Sequence, residues 1–108
     1  SNLDSAINWL SPADASSVSS SSLPLALSVN IANPEAIADL SFFYRNPKGE
    51  TKLIEKKRLV RNQNMNSQLN LSPDMELGAY QLWAEAYDWQ GNKKETGVLK
   101  INYVVGKK

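Results

Sequence analysis

Few side chains in this chain of 108 residues could do acid–base or nucleophilic chemistry. There is no histidine and no cysteine, which excludes the triads and dyads built on them, disulfides, and the usual zinc, haem and iron–sulfur ligand sets. A nucleophilic Ser-x-x-Lys motif does not occur. Glu85 and Asp88 are three residues apart in a predicted strand, so their carboxylates point to opposite faces. We therefore expect no catalytic residue and no enzyme.

Oxygen-bearing side chains in predicted turns and at strand ends form the second chemical group. Calcium prefers such carboxylate and amide oxygens, but the sequence has neither the spacing of an EF-hand loop nor a run of alternating acids. The same residue types hold turns together through local hydrogen bonds. We favour turn capping, and we expect no metal and no cofactor. The residues in question are Asp14, Asp39, Asp74, Asp88 and Asn92.

Short runs of alternating apolar and polar residues, separated by clusters of Pro, Gly and Asn, indicate strands. Residues 13–22, with six serines, predict a solvated turn, and residues 33–37 predict one helical turn. No apolar run approaches the roughly 20 residues that span a bilayer. The pattern favours an all-β, antiparallel sandwich of about seven strands. The predicted strands are residues 6–10, 23–32, 39–45, 51–57, 66–71, 79–88 and 96–105.

The alternation also predicts which face of each strand is buried. In residues 79–88 the core side carries Tyr80, Leu82 and two alanines, whose small size would let two sheets approach closely. Tyr80 follows Gly78 closely and fits a tyrosine corner, in which a buried ring returns its hydroxyl to loop backbone. The predicted core is Leu25, Leu27, Val29, Phe42, Tyr80, Leu82 and Ile101.

Three stretches resemble bacterial immunoglobulin-like modules. Residues 7–14 resemble their first strand, which runs into Ser-Pro-x-Asp, and residues 40–44 look like their third. Residues 78–92 are similar to the Gly-x-Tyr-x-Leu-x-Ala-x-Ala-x-Asp-x-x-Gly-Asn stretch of those modules. Ala15 departs from the family, which usually has glycine there, and residues 62–70 are unusually rich in asparagine. Fibronectin type III domains share the Gly-x-Tyr beginning of the last stretch and are a close alternative.

The resemblance implies a non-catalytic spacer or interaction module of a larger secreted or cell-surface bacterial protein. Its partners would be neighbouring domains and a protein or glycan ligand. Ser1-Asn2 is typical of a remnant left by tag removal, so we expect a segment of a longer protein. We place the domain at residues 6–106, with a linker at 1–5 and a tail at 107–108. The rival hypothesis is a carbohydrate-binding module.

Exposed aromatic residues are the candidate contact surface. Phe43, Trp83 and Tyr87 lie on the face opposite the predicted core, with Trp89 near the end of the same strand. Planar rings can stack on sugars, and a protein partner can bury them. Two alternatives compete with a sugar site: the inward and outward faces could be reversed, or a neighbouring domain could cover the rings. The sequence favours these alternatives, because aromatic pairs also stabilise sheets.

A basic stretch at residues 45–61 holds seven basic and two acidic residues, while the whole chain has a net charge of +1. A basic patch of Lys52, Lys56, Lys57 and Arg58 could bind a polyanion. We favour a solvated edge strand whose lysines block edge-to-edge pairing, because no aromatic residue is interleaved with them. We therefore expect no nucleic-acid partner, no membrane insertion and a monomeric isolated domain.

Overall fold

The computed structural model describes residues 7–58, 62–71 and 75–105. Within these ranges the chain forms nine strands and two single 3-10 turns, at Ser20–Ser22 and Pro34–Ala36, the second at the predicted helical turn. The domain boundaries predicted at residues 6 and 106 lie outside the described residues. The strands are β1 Ile7–Ser11, β2 Ser16–Ser19, β3 Leu25–Ile31, β4 Ile37–Arg45, β5 Thr51–Arg58, β6 Asn64–Leu69, β7 Gly78–Asp88, β8 Lys93–Glu95 and β9 Leu99–Val104.

Two sheets pack face to face. The first sheet has the order β1-β3-β6, and the second has the order β2-β9-β7-β4-β5, with β8 paired to β7. All pairs are antiparallel except β2 with β9. This arrangement is an immunoglobulin-like β-sandwich, so the predicted fold class is confirmed. No helix in the described ranges is long and apolar enough to cross a membrane.

The core lies between the sheets and follows the predicted alternation. Tyr80, Leu82, Ala84 and Ala86 of β7 are all fully buried. The other predicted core residues are buried as well, except Leu25, which is half-buried at the start of β3. The inward face predicted for residues 79–88 is therefore correct.

Residues 13–22 are where the strand prediction was wrong. Ser16–Ser19 form β2, which crosses to the second sheet and runs parallel to β9. Asp14 starts this crossing by accepting a hydrogen bond from the Lys100 amide at 2.8 Å, and Ala15 donates its amide to the Lys100 carbonyl at 2.7 Å. Val18 is the one apolar residue of β2, and it is buried. A single buried residue among serines leaves no periodic signal.

The last predicted strand, residues 96–105, begins later than expected, because β9 starts at Leu99. A short strand that was not predicted, β8, lies ahead of it, and Thr96 separates the two. The buried Thr96 exchanges two hydrogen bonds with Ala84, one through its amide and one through its hydroxyl, each 2.9 Å long. The Thr96 hydroxyl thus accepts the hydrogen bond that a backbone carbonyl would accept in a regular strand pair.

The strand β7 runs from one end of the sandwich to the other. Asp88, its last residue, pairs with Ile37 at the end where Ile7 begins β1 beside Ile31. Gly78, its first residue, pairs with Tyr103 near the end of β9. Eleven residues of strand span about 35 Å. The polypeptide therefore enters β1 at one end of the sandwich and leaves β9 at the opposite end.

Two contacts fix the start of β7: Gly78 lies close to the Pro47 ring, and the Tyr80 hydroxyl forms a hydrogen bond. Gly78 has φ of +131°, and a Cβ there would lie 3.4 Å from the Pro47 ring, so glycine suits the position. Two residues on, the Tyr80 hydroxyl donates to the Glu76 carbonyl at 2.7 Å, which is the geometry of a tyrosine corner. Burial raises the pKa of Tyr80, so the hydroxyl stays protonated and able to donate.

Candidate interaction surfaces

Two of the four predicted patch aromatics form a stacked pair on the outer face of the second sheet. Phe43 and Trp83 are direct cross-strand partners on β4 and β7. Their ring centroids are 5.7 Å apart and their planes differ by 16°. Both side chains are half-buried. Such offset stacking stabilises a sheet beyond the area it buries.

Two charged side chains also engage Trp83. The Arg45 guanidinium lies 5.3 Å from the ring centroid, within the range of a cation–π contact. The indole N–H donates to Glu85 Oε2 at 3.0 Å. Trp83 therefore has its ring in contact with Phe43 and Arg45 and its only donor satisfied. These contacts indicate a structural role for Trp83.

Tyr87 and Trp89 lie away from this pair. Tyr87 is four residues along β7 from Trp83, or about 13 Å, and Trp89 lies in the turn beyond Asp88. Neither ring stacks on another among the described residues. The four aromatics are thus not one coplanar platform.

Trp89 is both exposed and held in place. Its relative exposure is 65%, yet the indole N–H donates to the Glu35 carbonyl at 3.2 Å. Glu35 lies in the 3-10 turn Pro34–Ala36, at the same end of the sandwich as the start of β1. A large aromatic with a fixed orientation is suited to a contact, because little conformational entropy remains to be lost on binding.

The turn that carries Trp89 is organised by Asp88. Its carboxylate accepts hydrogen bonds from the Gln90 amide at 2.8 Å and from the Asn92 amide and side chain at 2.8 and 2.9 Å. These bonds, the Asn92 side chain first, lower the pKa of Asp88. Gly91 has φ of +92°, as a tight turn of this kind requires. Asp88 and Asn92 are therefore engaged in turn capping.

The remaining oxygen-bearing candidates do not gather. Asp14 accepts from the Lys100 amide, Asp39 lies within β4, and Asp74 lies outside the described residues. Within the described ranges, no group of three or more acidic residues is placed to hold a metal ion.

The four basic candidates are divided between the two faces of the edge strand β5. Lys56 and Arg58 pair with Ser41 and Asp39 on the outer face, whereas Lys52 and Lys57 pair with Tyr44 and Leu40, which face inward. A register shift opposite Phe42 and Phe43 changes the alternation midway. The strand lies at the edge of the second sheet, as predicted. The four residues do not form one basic patch.

One acid of this edge strand ties the two sheets together. Glu55 accepts a hydrogen bond from the Ser67 hydroxyl on β6 at 2.6 Å, and the Lys57 ammonium lies 3.5 Å away. The Ser67 hydrogen bond, followed by the Lys57 charge, lowers the pKa of Glu55. This contact bridges the open side of the sandwich between β5 and β6.

Sequence reasoning did not find the partners that fix the aromatic side chains. Arg45 shares a strand face with Phe43 at the period of two, so its position was readable. Its contact with Trp83, however, depends on the register between β4 and β7. Glu35 is 54 residues from Trp89, and no local pattern joins them.

No protein-family model matches this chain, and no curated protein matches its sequence. Solved structures match its fold. The fibronectin(III)-like modules of CbhA from Clostridium thermocellum are 16% identical with a TM-score of 0.58, over 90% of this chain and 93% of theirs. Superoxide reductase (neelaredoxin) from Ignicoccus hospitalis is 13% identical with a TM-score of 0.67, over 92% of this chain and 80% of its own.

An LPMO from Kitasatospora papulosa is also similar, with 7% identity and a TM-score of 0.61. The match covers 83% of this chain and 51% of that protein. At such identities the likeness concerns the fold alone. The chain folds as an immunoglobulin-like, fibronectin(III)-like β-sandwich module, as the sequence resemblance implied.

Proposed function

We propose that this domain is a non-catalytic spacer and interaction module of a larger secreted or surface-attached bacterial protein. The similarity to fibronectin(III)-like modules supports a role as one domain among several. We assign the domain no catalytic residue. Its partners are the neighbouring domains of the same protein.

The observation that carries this proposal is the position of the two ends of the domain. Ile7 starts β1 at one end of the sandwich and Val104 finishes β9 at the other, separated by about the 35 Å length of β7. Because the chain enters at one end of the sandwich and leaves at the other, the domain separates its two neighbouring domains by its full length. Its buried core keeps that length fixed.

Trp89 supplies the interaction element. It lies at the end of the sandwich where β1 begins, so a domain joined to the start of β1 would lie next to Trp89. Exposed, well-oriented tryptophans are typical of the few residues that carry most of the energy of an interface. We therefore assign Trp89 the contact with the preceding domain.

Small-angle X-ray scattering of the larger protein tests the spacer role. Excising the domain should shorten the maximum dimension by about 35 Å. Replacing it with a flexible Gly/Ser linker of equal residue number should broaden the distance distribution instead. A maximum dimension that excision leaves unchanged would show that the domain packs beside its neighbours, and the proposal would be wrong.

A carbohydrate-binding module is the second candidate, and the exposure of Trp89 favours it. A fixed ring with 65% of its surface exposed could stack on a sugar. Tryptophan fluorescence titrated with a panel of soluble polysaccharides distinguishes the two. A saturable shift that Trp89→Ala abolishes and Leu10→Ala retains would support sugar binding. The spacer proposal predicts no saturable shift with any polysaccharide.

A further inference from the structure

Four apolar side chains form a band across the outer face of the second sheet, at right angles to its strands. Leu53 pairs with Phe43, and Phe43 pairs with Trp83. Val98 lines the same groove of about 270 Å³ as Trp83. Leu53 and Val98 are each 56% exposed. We call Leu53, Phe43, Trp83 and Val98 the cross-sheet stripe.

Charged residues of opposite sign flank the two long sides of the stripe. On one side, Lys100 and Arg45 both pair with Gln81 in a single row, which we call the basic row. On the other side, Glu95 and Glu85 pair with each other, and we call them the acidic row. Ser41 and Lys56 continue this row onto β4 and β5, and Lys93 lies beside it, 3.1 Å from Glu95. Both charged residues of the basic row are positive, whereas negative charge on the other side is confined to Glu85 and Glu95 on β7 and β8.

We propose that this face binds a second copy of the same chain through a two-fold axis lying along the cross-sheet stripe. Such an axis turns one copy over so that each stripe covers the other. The same operation sets the basic row of one copy over the acidic row of its partner, with Lys100 opposite Glu95. Lys56 then faces the uncharged Thr51, because both lie on β5 at equal distances from the stripe.

The alternative face-to-face arrangement is disfavoured by charge. A two-fold axis along the strands would also cover one stripe with the other. It would, however, collect Arg45 and Lys100 of both copies on one side and the glutamates of both copies on the other. Like charges brought together at an interface are costly, so the repulsion among Arg45 and Lys100 of the two copies favours the first axis.

The available area sets the strength of the association. Four strands at about 4.8 Å spacing and about 30 Å long offer a footprint of roughly 600 Å² per copy. Two copies would bury about 1,200 Å², the lower end of the range for specific interfaces. We therefore infer a weak, reversible dimer. The expectation of a monomer concerned pairing at strand edges, whereas this surface is a sheet face.

Charge-reversal variants test the proposal by analytical ultracentrifugation over about a hundredfold range of concentration. The average mass of the wild-type protein should approach twice the mass of one chain at the highest concentration. Lys100→Glu alone and Glu95→Lys alone should each raise the dissociation constant about tenfold or more. An equimolar mixture of the two variants, and the double variant, should both restore association, because each again places opposite charges across the interface.

An apolar substitution with a matched control completes the test. Leu53→Asn should weaken association, whereas Leu10→Asn should not, since Leu10 is equally exposed at 55% but lies on β1 of the other sheet. Circular dichroism verifies that every variant is folded. Three results would overturn the proposal: a wild-type mass that stays monomeric throughout, single charge variants that associate as wild type does, or equal losses from Leu53→Asn and Leu10→Asn.

Discussion

The indole N–H of Trp89 donates to the carbonyl of Glu35 at 3.2 Å while the residue remains 65% exposed. The bond joins the β7–β8 turn to the 3-10 turn before β4. It gives the domain an oriented aromatic at the end where β1 begins. Trp83, by contrast, is engaged with Phe43, Arg45 and Glu85. The two tryptophans therefore have different expected roles, one in contact and one in stability.

The stability of the domain should depend on Trp83 and hardly at all on Trp89. Trp83→Ala loses a ring stack and a cation–π contact, so we expect the free energy of unfolding to fall by about 2 kcal/mol. Trp89→Ala should change it by about 0.5 kcal/mol or less. Urea denaturation measures both, and a Phe43→Ala, Trp83→Ala double-mutant cycle should give a coupling of about 1 kcal/mol. Equal losses from the two tryptophans would contradict this assignment.

Removing the Tyr80 hydroxyl should destabilise the domain. Tyr80→Phe leaves the Glu76 carbonyl without its donor, so we expect the free energy of unfolding to fall by about 1 kcal/mol. Tyr87→Phe is the matched control, because no hydrogen bond of its hydroxyl is seen among the described residues. Chemical denaturation of both variants checks the difference. Two equally stable variants would mean that the Tyr80 hydrogen bond contributes nothing.

The parallel strand β2 can be tested through its buried residue. Val18→Ala removes two methyl groups from a fully packed site, and we expect a loss of about 2 kcal/mol in the free energy of unfolding. Val104→Ala, the same substitution at a residue that is 39% exposed, should cost about 0.5 kcal/mol or less. If the two substitutions had the same effect, β2 would not be packed against the core.

The contact between Glu55 and Ser67 predicts a specific dependence on pH. The folded pKa of Glu55 is lowered, first by the Ser67 hydrogen bond, so the unfolded chain binds this proton more readily. The resulting stabilisation is present above the ordinary glutamate pKa and is lost as the pH falls through the folded pKa. Ser67→Ala should raise the pKa of Glu55 towards its ordinary value and reduce the loss of stability in acid.

Carboxyl NMR titration of Glu55 measures this directly, with denaturation at several pH values beside it. Ser41→Ala is a suitable control, because Ser41 is also a buried serine but is not a hydrogen-bond partner of Glu55. A Glu55 titration that Ser67→Ala leaves unchanged would assign the low pKa to another cause.

The faces of the strands could be predicted from sequence because the burial of a sheet repeats every two residues. That period gave the buried side of β7, from Tyr80 to Ala86, and the outward position of Phe43 and Trp83. It could not give β2, where Val18 is the one apolar residue. Nor could it show that β8 would form before Thr96, or that the Thr96 side chain would bind the backbone of β7.

The composition of the candidate surfaces could not be predicted from local sequence patterns. The pairing of Phe43 with Trp83 depends on the register of β4 against β7, and the separation of Trp89 from Trp83 depends on where β7 ends. The basic residues of β5 looked like one patch, but a register shift places Lys52 and Lys56 on opposite faces. Long-range pairing, rather than residue type, decides which side chains meet.

Fluorine NMR of protein labelled with 5-fluorotryptophan tests the proposed role of Trp89 most directly. The chain has three tryptophans, and Trp89→Phe assigns the signal of interest. We expect this signal to have a large solvent isotope shift in the isolated domain, which disappears in the larger protein, while the Trp83 signal is the same in both. A Trp89 signal with an identical shift and isotope effect in the two proteins would contradict the assignment of Trp89 as the interdomain contact.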